Sequence, residues 1–538
     1  MNPRHALLGR ALPAVAAAVA LLAGCSSSDS TDHAAATGTP AAPSAPAAPS
    51  GPSGPSGSAT ARPTGADDPA LKDFYAQKLD WQPCQPGPGS APGLQCAKLK
   101  VPLDYAAPAA KSITLAVYRH PANGAAADRI GSLAVNPGGP GDGVSGLVGH
   151  FAANAKKKAV ADRYDIVGFD PRGTGGSSRV TCAGGPVVDR LMSIDPTPDT
   201  PASLDAATAV LKEFGQACAT NTGTDLLKHI GTTEAVNDLD VFRAALGDDK
   251  LNYAGMSYGT YLGALYAERF PGRVGRVILD GLLDPALDRF ALAREQAKGF
   301  EDAFRAFAAD CVTRGRECPF TGGPDEASRA VRAQFDKLSA NPLPARGRSL
   351  DEGMASTAVS GYLYSPSAWP LLRQMLTALF QGNGAPTVQA FDNFAGRSAD
   401  GSFKDSIQPA YFEINCADGR SLTAQEADKL AREVAATMPV LGPSTVWSFA
   451  ADCPATGTDR ARPIDGANIP GVLLISTLRD PATPHVAAAR MRKELPKAGL
   501  ISYDGDGHVA FFRANACVDA ATDAYLLNGT LVQGETKC

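Results

Sequence analysis

A serine stands between two glycines in the segment Gly255-Met256-Ser257-Tyr258-Gly259. The apolar run "LNYA" before it predicts a strand, and "TYLGALYAERF" after it predicts an amphipathic helix. A serine at such a sharp strand-to-helix turn exposes its hydroxyl near a helix N-terminus, where backbone N–H groups favour developing negative charge. The pattern therefore predicts that Ser257 is the nucleophile of an acyl-transfer reaction. A purely structural serine in a turn is the alternative.

A serine hydroxyl attacks an acyl group only when a base removes its proton. In this strand–turn–helix setting the acid and the histidine follow the serine in the chain, which leaves His485 and His508 among the seven histidines. His508 lies in the glycine-rich loop "YDGDGHVAF" after the last predicted strand, whereas His485 begins a helical segment. We therefore predict that His508 is the base.

The acid that orients the imidazole should follow the preceding strand. Asp480 does so, in the loop "RDPATP", where its carboxylate can hold the tautomer and stabilise the imidazolium. Asp280, in "VILDG", is the alternative, while Asp504 and Asp506 are typical turn residues.

The negative oxygen of a tetrahedral intermediate needs N–H donors. We expect one from Tyr258, the residue after the nucleophile, and one from Gly139 in the loop "NPGGPGDG". An ordinary Gly/Pro turn is the alternative for this loop. The resulting mechanism needs no metal and no organic cofactor.

The elements that must position these residues alternate between apolar strands and amphipathic helices. This pattern predicts an α/β fold with a mostly parallel sheet. The alternation stops at about residue 285 and resumes near Gly471, which predicts a large helical cap inserted over the sheet. The predicted strands are 113–120, 132–139, 164–170, 251–257, 276–281, 471–476 and 499–505.

The first 24 residues are predicted to be a lipoprotein signal peptide. Arg4 and Arg10 precede an apolar run too short to span a bilayer, and "LAGC" places Cys25 where a lipobox cysteine is acylated. An ordinary secretory signal is the alternative. Residues 25–66, rich in Ala, Pro, Ser and Gly, are predicted to be a flexible tether.

Composition narrows the possible partners. The 538 residues carry a formal charge of −5, which argues against nucleic acid, and a membrane contact is expected only through the N-terminal lipid. Ten cysteines remain after Cys25, an even number that suits disulfides in an exported chain. Zinc is disfavoured because C-x-x-C pairs are absent from the sequence. Pairing sequence neighbours gives Cys84–Cys96, Cys182–Cys218, Cys311–Cys318, Cys416–Cys453 and Cys517–Cys538 as the simplest connectivity.

The segments "NPGGPG", "YDIVGFDPRGTGGSS", "GMSYGT" and "RDPATP" followed by "DGH" together resemble one family. It is the α/β-hydrolase serine peptidases of the tripeptidyl-aminopeptidase and prolyl-aminopeptidase group, including exported actinobacterial lipoproteins. The resemblance covers roughly residues 70–538. Pro137 stands where the prolyl enzymes have histidine, which argues against strict proline-iminopeptidase activity. Asp170 and Arg172 match the family's D-P-R-G segment and are expected to support the site.

The resemblance implies that cap carboxylates bind the free amine of a peptide. Glu413 and Asp418, in "YFEINCADG", are the candidates, and solvated cap acids are the alternative. From the interruption of the strand–helix pattern we expect an α/β-hydrolase core formed by residues 67–284 and 466–538, with the helical cap at 285–465.

The sequence thus predicts an exported serine hydrolase of the cell envelope, lipid-anchored or released, that cleaves short peptides from the free N-terminus. A carboxylesterase or lipase with the same three residues is one alternative. A non-catalytic binding lipoprotein of the envelope is another.

Overall fold

The computed structural model describes residues 65, 68–85, 91–154, 157–403, 407–456, 461–513 and 515–538. The predicted signal peptide and Cys25 lie outside these residues, as does the predicted tether apart from Gly65. Among the helices of the described ranges, none is both long enough and apolar enough to cross a bilayer.

The described strands form one ten-stranded sheet and one two-stranded hairpin. The strands are β1 (Gln82–Pro83), β2 (Gln95–Pro102), β3 (Ser112–His120), β4 (Gly131–Asn136), β5 (Tyr164–Phe169), β6 (Leu251–Met256), β7 (Val274–Asp280), β8 (Leu343–Ala345), β9 (Arg348–Leu350), β10 (Leu473–Arg479), β11 (Gly499–Asp506) and β12 (Glu535–Lys537).

The large sheet has the order β1-β2-β3-β5-β4-β6-β7-β10-β11-β12. Along this order, every pair from β5–β4 to β11–β12 is parallel. The pairs β1–β2, β2–β3 and β3–β5, at one end of the sheet, are antiparallel. Parallel strands end at the same edge, so residues that follow β4, β6, β7, β10 and β11 are brought to one rim.

Helices connect the strands and cover both faces of the sheet. They are α1 (Lys72–Tyr75), α2 (Ser145–Ala153), α3 (Lys158–Ala161), α4 (Gly185–Met192), α5 (Pro201–Asn221), α6 (Thr224–Leu227), α7 (Thr232–Leu246), α8 (Tyr258–Arg269), α9 (Arg289–Thr313), α10 (Pro324–Ala340), α11 (Glu352–Leu363), α12 (Trp369–Phe380), α13 (Ala385–Ala395), α14 (Gln408–Ala417), α15 (Ala424–Ala435), α16 (Gly442–Trp447), α17 (Val486–Glu494) and α18 (Ala516–Asn528).

The central strands are apolar on both faces because both are covered. All six residues of β4 are buried: Leu133 and Val135 pack in one apolar cluster, and Ala134 packs in the cluster on the opposite face. Continuous apolar runs of this kind are typical of parallel sheets under helices. The predicted α/β fold with a mostly parallel sheet is confirmed.

Helices α9 to α16 and the β8–β9 hairpin lie between β7 and β10. An earlier part of the chain packs with these helices, since α4, α5 and α6 share an apolar cluster with α14, α15 and α16. Phe214 of α5, for example, stacks edge-on against Phe412 of α14, with ring centroids 5.7 Å apart. The helical layer over the sheet is therefore built from two separate stretches of sequence.

The ten cysteines outside the signal region form five disulfides between sequence neighbours. The pairs are Cys84–Cys96, Cys182–Cys218, Cys311–Cys318, Cys416–Cys453 and Cys517–Cys538.

Candidate active site

Ser257 lies in a tight turn between β6 and α8, with φ 55° and ψ −125°. A positive φ is costly for a residue with a Cβ, so the surrounding structure must impose it. The flanking glycines make the turn possible: a Cβ on Gly255 would lie 2.4 Å from the Gly259 carbonyl oxygen, and one on Gly259 would lie 2.8 Å from Asn136 Oδ1. The G-x-S-x-G spacing is thus a steric requirement of this turn.

Asp480 and His508 are hydrogen-bonded to each other. His508 Nδ1 lies 2.9 Å from Asp480 Oδ1 and 3.0 Å from Oδ2. The carboxylate also accepts the backbone N–H groups of Ala482, Thr483 and Val509, and its residue is 2% exposed. These bonds fix the carboxylate, which in turn fixes the orientation of the imidazole.

Ser257 and His508 each lie close to the carboxyl end of β7. The Ser257 N–H donates to the Asp280 carbonyl at 2.9 Å. A Cβ on the next residue, Gly281, would lie 3.2 Å from His508 Cε1. The loops after β6, β10 and β11 therefore bring the predicted nucleophile, acid and base to one rim of the sheet.

Asp280, the alternative acid, has a different position. Its Oδ2 accepts the backbone N–H groups of Ala510 and Phe511 at 2.8 and 2.7 Å, while its buried Oδ1 has no hydrogen-bond partner in the described ranges. Burial, reinforced by the charge of Asp480, raises the pKa of Asp280 to about 6. Asp280 therefore holds the loop that follows His508, and the imidazole bonds to Asp480 instead. His485 also lies elsewhere, at the start of α17 with its Nδ1 3.0 Å from Ser476 Oγ.

The glycine-rich loop after β4 packs directly on Ser257. A Cβ on Gly138 would lie 2.8 Å from Ser257 Cβ and 3.0 Å from the Tyr258 nitrogen. The Gly138 N–H donates to Asn136 Oδ1, whereas the N–H groups of Gly139 and Tyr258 have no acceptor in the part of the chain that the structure describes. Neither N–H group is therefore occupied by an acceptor from the described residues.

Asp170 and Arg172 connect this loop to the core of the protein. Asp170 accepts the backbone N–H groups of Val144 and Gly176 and the hydroxyl of Tyr118. The fully buried Arg172 guanidinium makes a two-point ion pair with Asp238, both N–O distances being 2.7 Å. The D-P-R-G segment thus ties the glycine-rich loop to the core.

Glu413 lies beside a disulfide. Its carboxyl is within 4.8 Å of the sulfurs of Cys182 and Cys218, and Oε2 has no hydrogen-bond partner among the described residues. Burial, and then the charge of Asp452, raises the pKa of Glu413 to about 8. The group is mostly neutral at pH 7, so its surroundings do not favour the predicted binding of an ammonium.

Asp418 is engaged by the protein. Its carboxylate accepts the Thr232 N–H at 2.7 Å and the Thr232 hydroxyl at 2.5 Å, and that hydroxyl contacts Tyr258 Oη at 2.5 Å. Asp418 therefore holds the start of α7 and the Tyr258 ring, which is an indirect contribution to the site. The sequence pattern alone gave no sign of this arrangement.

Tyr364 contributes to the site although the sequence did not indicate it. Its ring packs edge-on against the His508 imidazole, with centroids 5.4 Å apart, and its carbonyl accepts the His508 N–H at 2.9 Å. Arg513 donates to the same carbonyl and to that of His508. Tyr364 lies in the long helical stretch far from His508 in sequence, so only the fold reveals the contact.

Two groups of potential metal ligands occur in the described ranges. Asp104, His229 and Glu234 form one, but they lie near Arg172 and not at Ser257. The other comprises Glu413 and two cysteines that are bonded to each other. Neither group includes Ser257, Asp480 or His508.

Comparison with known proteins places this geometry in a family. The family model described as "alpha/beta hydrolase fold" matches residues 132–514. "Serine protease Hip1" of Mycobacterium tuberculosis is 35% identical over 495 residues, covering 86% of this chain and 91% of that protein. "Carboxylesterase B" of the same species is 34% identical, covering 89% and 93%. "Tripeptidyl aminopeptidase" of Streptomyces lividans is 30% identical, covering 86% of both. The chain therefore belongs to the α/β-hydrolase family, as a serine hydrolase.

Proposed function

We propose that this chain is an exported serine peptidase that removes short fragments from the free N-terminus of peptides. In this proposal Ser257 attacks the acyl carbon, His508 takes its proton and passes it to the leaving amine, and Asp480 orients the imidazole. Water then attacks the acyl-enzyme: His508 takes a proton from the water and returns it to the Ser257 oxygen as the acid product leaves.

The observation that carries the proposal is the bond from His508 Nδ1 to Asp480, 2.9 Å long, at the rim where Ser257 is held in its strained turn. With Nδ1–H donating to the carboxylate, Nε2 is left to accept the serine proton. The N–H groups of Tyr258 and Gly139 would then receive the negative oxygen. Each such donor contributes about 10²- to 10³-fold to turnover in serine hydrolases.

Cell-surface attachment is part of the proposal. The support is the apolar N-terminal run that ends at Cys25 and the composition of residues 25–66. Five disulfides also suit an oxidising compartment outside the cytoplasm. Globomycin treatment of expressing cells, followed by mass measurement of the chain, tests whether Cys25 is the processed and acylated residue.

A carboxylesterase is the second candidate, because a relative of similar identity has that name. Rates on a free-amine tripeptide anilide, its N-acetylated form and a short acyl ester separate the two. The peptidase proposal predicts the highest kcat/KM on the free-amine peptide. A chain that prefers the ester or the blocked peptide is not an aminopeptidase.

A further inference from the structure

The loop after β4 carries one carboxylate, that of Asp142, for which the described residues provide no hydrogen-bond or ion-pair partner. Asp142 is partly buried, and the described structure gives it no hydrogen bond and no ion pair. The other acids near the site differ in this respect. Asp480, Asp170 and Asp418 accept hydrogen bonds from the protein, and Glu413 lies beside a disulfide.

Asp142 lies near Tyr364, whose ring packs on the His508 imidazole. Burial, together with the charges of Tyr411, Asp480 and Asp142, raises the pKa of Tyr364, whose ring packs on His508. The Asp142 carboxylate is thus close to a residue that contacts His508. It also lines a cavity of about 240 Å³ together with Gly141, Ile407 and Ala410.

The carboxylate lies within a short peptide's length of Ser257. A Cβ on Gly138 would be 2.8 Å from Ser257 Cβ, and one on Gly139 would be 3.7 Å from Asp142 Oδ2. Since neighbouring Cβ positions are at most roughly 6 Å apart, Asp142 Oδ2 is within about 12 Å of Ser257 Cβ. One to three extended residues, at about 3.3 Å each, reach about 3 to 10 Å, and the hydrogen bond between the amine and the carboxylate adds about 3 Å, which covers this range.

The electrostatics of the cavity favour a cationic ligand at this carboxylate. Arg179 lines the same cavity, and its positive charge lowers the pKa of Asp170, whereas burial is the cause of the raised pKa of Asp142. Burial raises the pKa of Asp142 to about 6, so the group is mostly ionised at pH 7 to 8. A half-desolvated carboxylate without a partner near developing oxyanion charge is unfavourable until a cation reaches it.

We propose that Asp142 is the specificity-determining residue that binds the N-terminal ammonium of the peptide one to three residues before the scissile bond. The proposal rests on the peptidase function proposed above and assigns its amine recognition to the glycine-rich loop. The acceptor is then attached, through Gly139, to the same segment that offers an oxyanion donor. Binding of the amine and positioning of the acyl group are coupled by that short segment.

The test uses steady-state rates of the mature chain on a free-amine tripeptide anilide and on its N-acetylated form, at pH 7.5. Asp142→Asn should raise KM for the free-amine substrate about 10- to 100-fold, the usual effect of losing a charged hydrogen bond, with kcat changed less than about threefold. The rate on the acetylated substrate should not fall. Asp142→Glu should restore part of the loss. Asp249→Asn, which removes an exposed charge at the end of α7, is the matched control and should behave as wild type.

Three results would overturn the proposal. If Asp142→Asn keeps the wild-type preference for the free amine, the ammonium binds elsewhere. If both substrates lose activity equally, Asp142 acts on the loop and not on the amine. If only acetylated substrates with lysine or arginine side chains lose activity, the ligand is a side-chain cation. A wild-type chain with no preference for the free amine is a separate outcome, because the peptidase proposal itself then fails.

Discussion

Ser257 and His508 depend on main-chain geometry as much as on their own chemistry. Ser257 is held at φ 55° between two glycines, and His508 is fixed by Asp480 through Nδ1 and by Tyr364 through its N–H. Such pre-positioned groups need little reorganisation during reaction. Substitutions that keep the fold but change one hydrogen bond or one Cβ are therefore the informative ones.

Asp480→Asn should lower kcat about 10⁴-fold while leaving the fold intact. The Asn carbonyl can still accept the N–H groups of Ala482 and Thr483, which bond to Oδ1 in the native chain. Its amide then faces His508 Nδ1 as a donor, which forces the proton onto Nε2 and removes the base. Hydrolysis of a tripeptide anilide, compared with the thermal unfolding midpoint, checks this.

Asp280→Asn is the control for that substitution, since Asn can still accept from Ala510 and Phe511. We expect kcat within about tenfold of wild type. Equal losses at positions 280 and 480 would argue against Asp480 as the single orienting acid.

Gly138→Ala should abolish most activity, because the new Cβ would lie 2.6 Å from the Met256 carbonyl oxygen and 2.8 Å from Ser257 Cβ. The loop must move, and the Gly139 N–H moves with it. Gly247→Ala is a matched control: its φ is also positive, at +80°, but no atom lies within 4 Å of the added Cβ. That control should cost about 1 kcal/mol of stability and leave kcat unchanged. Equal activities for the two variants would contradict the assigned position of the loop.

Helix α14 packs the buried carboxyl group of Glu413 against α5. Glu413 is 2% exposed, and its pKa is raised to about 8 in the folded chain. A carboxyl group that keeps its proton in the fold but loses it in the unfolded chain at about pH 4.3 stabilises the fold most at low pH. This contribution decreases as pH rises from about 4.3 toward 8.

Glu413→Gln should remove this dependence. We expect the free energy of unfolding of the variant to be close to that of wild type at pH 5 and a few kcal/mol higher at pH 8.5, since each unit of pKa shift is about 1.4 kcal/mol. Urea denaturation at the two pH values measures the difference. Glu317→Gln, at an exposed position, is the control. A variant that is no more stable than wild type at pH 8.5 would show that Glu413 is not buried as a neutral acid.

At the scale of the whole molecule, the helical layer and the sheet are mutually dependent. The carbonyl of Tyr364, between β7 and β10, accepts hydrogen bonds from His508 and Arg513, which follow β11. The layer is itself closed by Cys182–Cys218 and Cys416–Cys453. Loosening this layer should therefore affect the His508 loop as well as stability.

The double substitution Cys416→Ser and Cys453→Ser should lower the free energy of unfolding by about 4 kcal/mol, because the disulfide closes a loop with a sequence separation of 37 residues. Thermal unfolding measures this effect, and limited proteolysis should show earlier cleavage within 407–456. A variant with unchanged stability and protease resistance would mean that the helical layer does not need this bond.

The seven predicted strands are all present. Six of them, β4, β5, β6, β7, β10 and β11, lie in the parallel part of the sheet and consist mainly of buried apolar residues, whereas β3 is antiparallel and only partly buried. The strand β2 is absent from the predicted strands because its segment "QCAKLKVP" is not a continuous apolar run. Its burial alternates instead, which is the pattern of an antiparallel strand near a sheet edge. The contact of Tyr364 with His508 and the lack of a partner at Asp142 could not be predicted, since both depend on where the helical layer packs. The packing of α5 against α14 could not be predicted either, because it joins segments that are far apart in the sequence.

The most direct test of the central claim is covalent labelling with a fluorophosphonate, followed by peptide mass spectrometry and repeated on Ser257→Ala. If Ser257 is the nucleophile, the label should form a single adduct per chain, on the peptide that contains Ser257. The alanine variant should lose labelling, and its kcat for hydrolysis should fall on the order of 10⁶-fold. An adduct on another serine, or an alanine variant that still turns over at the wild-type rate, would contradict this assignment.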